Sequence, residues 1–227
     1  MPVYHSIILA RGGSKGLKNK NILKVKNKPL LYWSIKQSID SKKISYTWVS
    51  SDSKKILKLA KKNGCGSILR PKNISGDNAS SEEAWLHAVK YLIKKKFMVD
   101  NIIGIQPTSP IRKAKDFDKA ISQFENEKYD SLFTSCIIND HNIWGKNKSK
   151  ILLANYNYKN RKPRQQIKSK FLENGSFYIF KAQKFLKFKC RLFGKIGTFT
   201  MPKSKSMQVD DQMDLDIINL LAKKYLK

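Results

Sequence analysis

Residues 6–10, SIILA, are a short apolar run without helical period, the pattern of a strand buried on both faces. The next apolar positions, 30, 31, 35 and 39 in PLLYWSIKQSI, share one helical face, with Pro29 in the first turn. YTWVSSD predicts a second strand. Ser53 then caps SKKILKLAKKNG, whose apolar positions 56, 57, 59 and 60 precede a terminating Gly64. Ser80 with Glu83 forms a capping box ahead of EEAWLHAVKYLIKKK, an amphipathic helix reaching into the nineties. NIIGIQ (101–106) follows as a strand and ends in the proline-punctuated turn QPTSPIR. KDFDKAISQFENEK is the next helix and YDSLFTSCII the next strand.

This β/α alternation predicts an α/β fold, a mostly parallel sheet with helices on both faces. Such sheets bind ligands beyond the carboxyl ends of their strands, where both the loop after residue 10 and QPTSPIR fall. Residues 139–172 break the rhythm. They are polar, basic and aromatic without a helical period, which predicts an excursion of strands and loops inserted in a single domain spanning 1–227. ENGSFYIF (173–180) returns as a strand with Asn-Gly at its start, although Asn174-Gly175 equally suits a hairpin turn. GTFTMP is a further short strand. MDLDIINLLAKKYLK closes as a helix, with early acids and late lysines that match the helix dipole; Asp211 and Asp214 read as helix-start acids.

Composition narrows the class. With 227 residues and 41% hydrophobic content the chain suits one α/β domain with a full core. No apolar run is long enough for a membrane span, and the first residues lack the basic start and apolar core of a signal peptide, so a cytoplasmic location is expected. Cys65, Cys136 and Cys190 lie far apart and suit small core fillers rather than a disulfide or metal set. His5, His87 and His141 show no ligand spacing. The formal charge is +29, and between Asp140 and Asp210 the only carboxylate is Glu173. That charge steers anions inward and admits nucleic acid as a partner, but the basic residues are mostly lysine, spread through every segment, and no recognised nucleic-acid motif is present. Arginine is rarer. Four of the six, Arg11, Arg70, Arg112 and Arg164, fall in the motifs below, where a planar fork can grip phosphate, carboxylate or a base edge.

LARGGSKGLKNKN (9–21) follows the first strand and suits an anion wrapped by backbone, since glycine admits close approach and the basic side chains supply charge. It is neither a P-loop nor a dinucleotide fingerprint, because the positions five after Gly12 and Gly13 are Leu17 and Lys18 and G-x-G-x-x-G is missing.

ARGGSKGLKNKN, LRP, ASSEEA, QPTSPIR, PRQ, ENGSFYIF and VDDQMD occur in the order seen in the acylneuraminate cytidylyltransferases, which this chain resembles from Ile7 almost to its end. The resemblance implies a Rossmann-like fold of the nucleotide-diphospho-sugar transferase type, dimerising through the inserted 139–172 segment. It implies CTP and an N-acylneuraminate as substrates, Mg²⁺ as cofactor, and a CMP-sugar and diphosphate as products. Related nonulosonic acids (legionaminic, pseudaminic, deaminated sialic acid) and Kdo are the alternatives. By resemblance Arg11, Gly12, Gly13, Ser14, Lys15, Gly16 and Lys20 surround the triphosphate, Asn21 faces cytosine or ribose, and Arg70 and Ser81 read the nucleoside. Gln106, Arg164 and Asn174 line the sugar-acid side, whereas Arg112 is expected to brace the QPTSPIR loop.

At the metal site the chain departs from the family's D-x-D, having Gln208-Val209-Asp210. Asp210 is then the principal ligand and Gln208 an uncharged second donor, with water and phosphates completing the shell. The expected chemistry is in-line attack of the sugar's anomeric hydroxyl on the α-phosphorus, with Lys20, Arg11 and Asp210 as the catalytic set and no histidine placed as general base.

Overall fold

The computed structural model describes residues 2–14, 16–138, 143–147, 150–153, 158–160, 162–166 and 169–226. From the N-terminus the elements are β1 (Tyr4–Leu9), the short pair β2 (Lys24–Val25) and β3 (Lys28–Pro29), α1 (Leu30–Ile39), β4 (Tyr46–Ser51), α2 (Lys54–Lys62) and β5 (Gly66–Leu69). Then come α3 (Ser81–Lys94), β6 (Asn101–Ile105), α4 (Ala114–Asn126) and β7 (Ser131–Ile138). The hairpin β8 (Trp144–Asn147) and β9 (Lys150–Leu153) leads to β10 (Lys170–Lys181), α5 (Ala182–Phe188), β11 (Ile196–Thr200) and α6 (Gln212–Tyr225).

Seven strands form one sheet in the order β11-β7-β10-β6-β1-β4-β5. All run the same way except β10, which is antiparallel to both β6 and β7. Side chains alternate across the sheet, so neighbours in sequence enter different cores. Ile8, Ile103 and Phe177 meet Leu31 of α1, Ile56 of α2 and Phe117 of α4 on one face. Ile7, Ile102 and Phe180 meet Trp85 of α3 and Phe185 of α5 on the other. A third cluster joins Val25 and Trp33 to Val209, Leu215 and Ile218, which clamps α6 over the β2–β3 pair. Helices therefore cover both faces, as the alternation predicts.

Most starts and stops follow the sequence. Ser53 Oγ accepts the Ile56 N–H at the head of α2, and Ser80 and Glu83 form the capping box of α3. Asp211 and Asp214 form another at α6. Pro29 caps α1 from outside rather than sitting in its first turn. Four elements lay beneath the pattern: β2 and β3 have two residues each, β5 four and α5 seven, too short for either period to register.

The largest local difference is in β10, which begins at Lys170 and continues through Asn174 and Gly175. That dipeptide is neither a hairpin turn nor the strand's start. The register slips instead, Glu173 lying opposite Ser135 and Tyr178 opposite Phe133, so the residues between them bulge against a single partner residue. Pairing with β7 on both sides of the dipeptide overrides its local turn preference. Cys65 and Cys136 are buried as expected, but Cys190 is exposed. Among the described residues no helix is long and apolar enough to cross a membrane.

Candidate functional site

The carboxyl ends of β1, β5 and β6, the start of α3 and the segment before α6 surround an open cavity of about 580 Å³. Of the residues singled out in the sequence, Arg11, Ser14, Lys20, Asn21, Arg70, Ser81, Gln106, Gln208 and Asp210 line it. Gly12, Gly13 and Asn174 do not. Lys15 lies outside the described residues, and Arg164 starts a short 3₁₀ turn (Arg164–Gln166).

The glycine loop is held by specific contacts. Gly12 N–H donates to Asp52 Oδ1 at 2.8 Å, and Asn21 Nδ2, in a side chain almost wholly buried, donates to the Arg11 carbonyl at 2.9 Å. Asn21 thus braces the loop with its amide nitrogen while lining the cavity. Gly16 is required by a close approach of the chain to itself, since a Cβ there would collide with the Asp210 carbonyl oxygen. The loop therefore rests on the residue expected to bind metal.

The cations come in two kinds. Lys20 Nζ sits 2.9 Å from Asp210 Oδ1, the lysine largely covered and the carboxylate 70% exposed. Arg11 Nη1 lies 2.8 Å from Asp77 Oδ1 and 3.3 Å from the Gly76 carbonyl, all three residues lining the cavity. Arg70 differs. It is 6% exposed, its side chain has no hydrogen-bond partner among the described residues, and burial lowers its pKa from the ordinary value, opposed by Asp52 and reinforced by Arg11. A buried guanidinium without an acceptor is an incomplete arrangement that a ligand's carbonyl or ring nitrogen can complete.

At the other end, Arg112 is fully buried beneath QPTSPIR. Its Nη1 donates to the carbonyls of Ser109 (2.8 Å), Ser176 (3.0 Å) and Gln106 (3.3 Å), and Nη2 donates to Ser34 Oγ. It braces the loop, as expected from the sequence. Asn174 is equally committed: Oδ1 accepts from Thr134 Oγ1 at 2.6 Å and from the Ser176 N–H at 3.1 Å, while Nδ2 donates to Ser206 Oγ at 3.2 Å. Its side chain fixes the bulge of β10 instead of facing the cavity.

Gln208 Nε2 donates to the Asn174 carbonyl at 2.9 Å, which leaves Oε1 as the uncommitted end of that amide. Gly175, at φ +61°, makes room for this. A Cβ on it would stand 2.9 Å from both Gln106 Oε1 and Gln208 Nε2, so the two glutamine amides converge over the bulge. Val209 N–H donates to the Thr108 carbonyl at 2.8 Å and the Asp210 N–H to Asp214 Oδ2 at 2.9 Å, which fixes Asp210 at the cavity edge. Among the described residues no three His, Cys, Asp or Glu side chains converge on a metal position.

Sequence reasoning missed Asp52 and Asp77, each of which meets the glycine loop from a distant segment. Asp77 was the one acid between LRP and ASSEEA, the only signal available. Asp52 closed YTWVSSD and carried none beyond its place at a strand end.

Comparison with known proteins places this chain among the cytidylyltransferases. The cytidylyltransferase family profile matches residues 5–221. The chain is 32% identical to post-translational flagellin modification protein B of Campylobacter coli, over 96% of this chain and 94% of that protein. It is 30% identical to the N-acylneuraminate cytidylyltransferase of Escherichia coli O18:K1:H7, covering 96% of this chain but 52% of that protein, so it spans about half that relative's length. It is 27% identical to the pseudaminic acid cytidylyltransferase of Campylobacter jejuni, over 96% and 95%. A solved CMP:2-keto-3-deoxy-manno-octonic acid synthetase complexed with CTP has the same fold, with a TM-score of 0.71 at 15% identity over 99% of this chain and 100% of that one.

Proposed function

Because this chain belongs to the cytidylyltransferase family, we propose that it transfers the cytidylyl group of CTP to a sialic-type 2-keto sugar acid, with N-acylneuraminate as the first substrate to test. The observation that carries the reading is the convergence of Arg11, Lys20, Arg70 and Asp210 on one cavity at the strand ends. The sugar's anomeric hydroxyl attacks the α-phosphorus. The new O–P bond forms as the α–β bridge breaks, diphosphate leaves with the bridging oxygen, and the hydroxyl proton passes to solvent.

Charge gathers on the departing diphosphate. Lys20 and Arg11 are the side chains that meet it, and the largely covered Lys20 is already held at the cavity wall. Arg70, still lacking an acceptor, supplies donors to the O2 and N3 edge of cytosine. Ser81 lies at the start of α3, whose dipole favours the anionic side of the nucleotide. The sugar acid is assigned to the Gln106 and Gln208 end, with Arg164 as the partner of its carboxylate.

The donors fit a hard divalent cation that takes most of its shell from phosphate and water: one exposed carboxylate, Asp210, and one neutral oxygen, Gln208 Oε1. Mg²⁺ bound there would withdraw charge from the α-phosphate and lower the pKa of the attacking hydroxyl. Asp210 is held ready by Lys20, and phosphate binding to Lys20 frees it.

A second reading is pseudaminic acid as substrate. It is favoured by the near-complete coverage of the Campylobacter jejuni pseudaminic acid cytidylyltransferase, against about half of the Escherichia coli relative. The homodimer is proposed on exposed Trp144 and Ile151 of the β8–β9 hairpin, with Ile137 of β7 and Phe171 and Leu172 of β10. A monomer in sedimentation at micromolar concentration argues against it. The test of function is diphosphate release from CTP and Mg²⁺ with N-acetylneuraminic acid and a panel of eight- and nine-carbon keto acids, with products identified by mass. Release with one acid and a CMP-sugar of matching mass establishes reaction and substrate, whereas absence of CTP binding removes the reading.

A further inference from the structure

Asp52, directly after β4, is a carboxylate that the proposed reaction does not use. Its Oδ1 accepts the Gly12 N–H at 2.8 Å. A Cβ on Gly12 would stand 3.6 Å from Oδ2 and 3.0 Å from Ser53 Cβ, so the glycine is seated against this turn. The turn is itself anchored. Ser53 N–H donates to Ser51 Oγ at 3.0 Å, Ser53 Oγ caps α2, and the Ser51 carbonyl accepts the Arg70 N–H at 2.9 Å. Asp52 also faces Arg70 electrostatically, since its charge favours the guanidinium that burial and Arg11 disfavour. One carboxylate thus bonds the glycine loop and acts through space on the buried arginine, whose backbone is tied to the residue before Asp52.

Its sign is the informative part. A negative charge beside a triphosphate site opposes anion binding, so its presence there calls for an offsetting role. We infer that Asp52 is a positioning residue: it occupies the Gly12 N–H, holds the loop against the end of β4 in register with Arg70, and leaves the loop from Ser14 onward to meet the phosphates. A loop with three glycines loses much conformational freedom when ordered, and one charge-assisted anchor removes part of that loss before the ligand arrives.

This rests on the nucleotide-binding reading, and two substitutions separate position from charge. Asp52→Asn keeps an oxygen acceptor for Gly12 and removes the repulsion; Asp52→Ala removes both. CTP binding is measured by calorimetry on the full chain, and Gly12 amide exchange by NMR without nucleotide. For Asp52→Ala we expect CTP binding weakened about tenfold or more, the size expected for losing a hydrogen bond to a charged group, together with faster Gly12 exchange. For Asp52→Asn, affinity equals or exceeds wild type and Gly12 stays protected. Wild-type affinity and protection in Asp52→Ala overturn the inference, as does an Asp52→Asn variant as impaired as Asp52→Ala. If Asp52→Ala does not fold, Asp52→Glu replaces it: the charge is kept but the acceptor is displaced by a methylene, and weakened binding is again expected, with wild-type binding overturning the inference. A wild-type chain that binds no CTP removes the proposed function, while Gly12 exchange across the variants still judges whether Asp52 holds the loop.

Discussion

The two ends of the cavity use their polar groups differently. At the glycine-loop end, Lys20 and Arg11 are paired with Asp210 and Asp77, carboxylates that are substantially exposed, and the Arg70 side chain has no acceptor among the described residues. At the bulge end, Arg112 and Asn174 are buried and bonded to neighbouring backbone and hydroxyl groups, and Gln208 is tied to Asn174 by its amide nitrogen. The first arrangement leaves its cations able to exchange partners, as the proposed nucleotide binding requires. The second cannot exchange them without dismantling the β10 bulge. A motif residue is therefore assigned to ligand or to framework by where its hydrogen bonds already go, and by that measure Asn174 and Arg112 are framework.

Five changes test this contrast, in order of expected size. Arg112→Ala strands the carbonyls of Gln106, Ser109 and Ser176, and should cost about 3–5 kcal/mol of stability, read by denaturant unfolding. A loss under roughly 1 kcal/mol would mean the loop is not held by the arginine. Lys20→Ala and Asp210→Asn should each lower diphosphate release by about 10²–10³-fold with the unfolding midpoint little changed, since both sit at the exchangeable end. Near-normal turnover in either removes that residue from the mechanism. Gly175→Ala forces a side chain into left-handed backbone and against two glutamines, with an expected cost of about 1–3 kcal/mol. Unchanged stability would show that the bulge relaxes freely. Asp77→Asn frees Arg11 from an exposed ion pair of roughly 0.2–1 kcal/mol and should tighten CTP binding by at most about fivefold, more at low salt than at high salt. Weakened binding would show that Asp77 aids the nucleotide instead of competing with it.

Much of the fold could be read from the chain because its signals are local. The apolar run of β1, the caps at Ser53 and Ser80 and the periodicities of α1, α3 and α6 each lie within a stretch of at most 14 residues. β5 and α5 were too short to register, and the Asn174-Gly175 bulge depends on pairing with β7, which no local pattern encodes. The site divides in the same way. The glycine loop, QPTSPIR and the Gln208-Val209-Asp210 segment were visible as motifs, and about half of their residues line the cavity. The partners that decide what those side chains can do, Asp52 for Gly12 and Asp77 for Arg11, come from 40 and 66 positions away. Such pairings have no period and no spacing rule.

The contact of the glycine loop with Asp210 also has a consequence for synthesis. Lys20 and Asp210 are 190 positions apart, and the segment around Asp210 forms one wall of the cavity. At about 5–20 residues per second, a ribosome needs roughly 10–40 s to travel from one to the other. During that interval the nascent chain displays Lys20 without its carboxylate and a binding loop open on one side. Nucleotide can stabilise the growing polypeptide only after Asp210 has left the exit tunnel, so any ligand-assisted folding is a late event in the life of the chain.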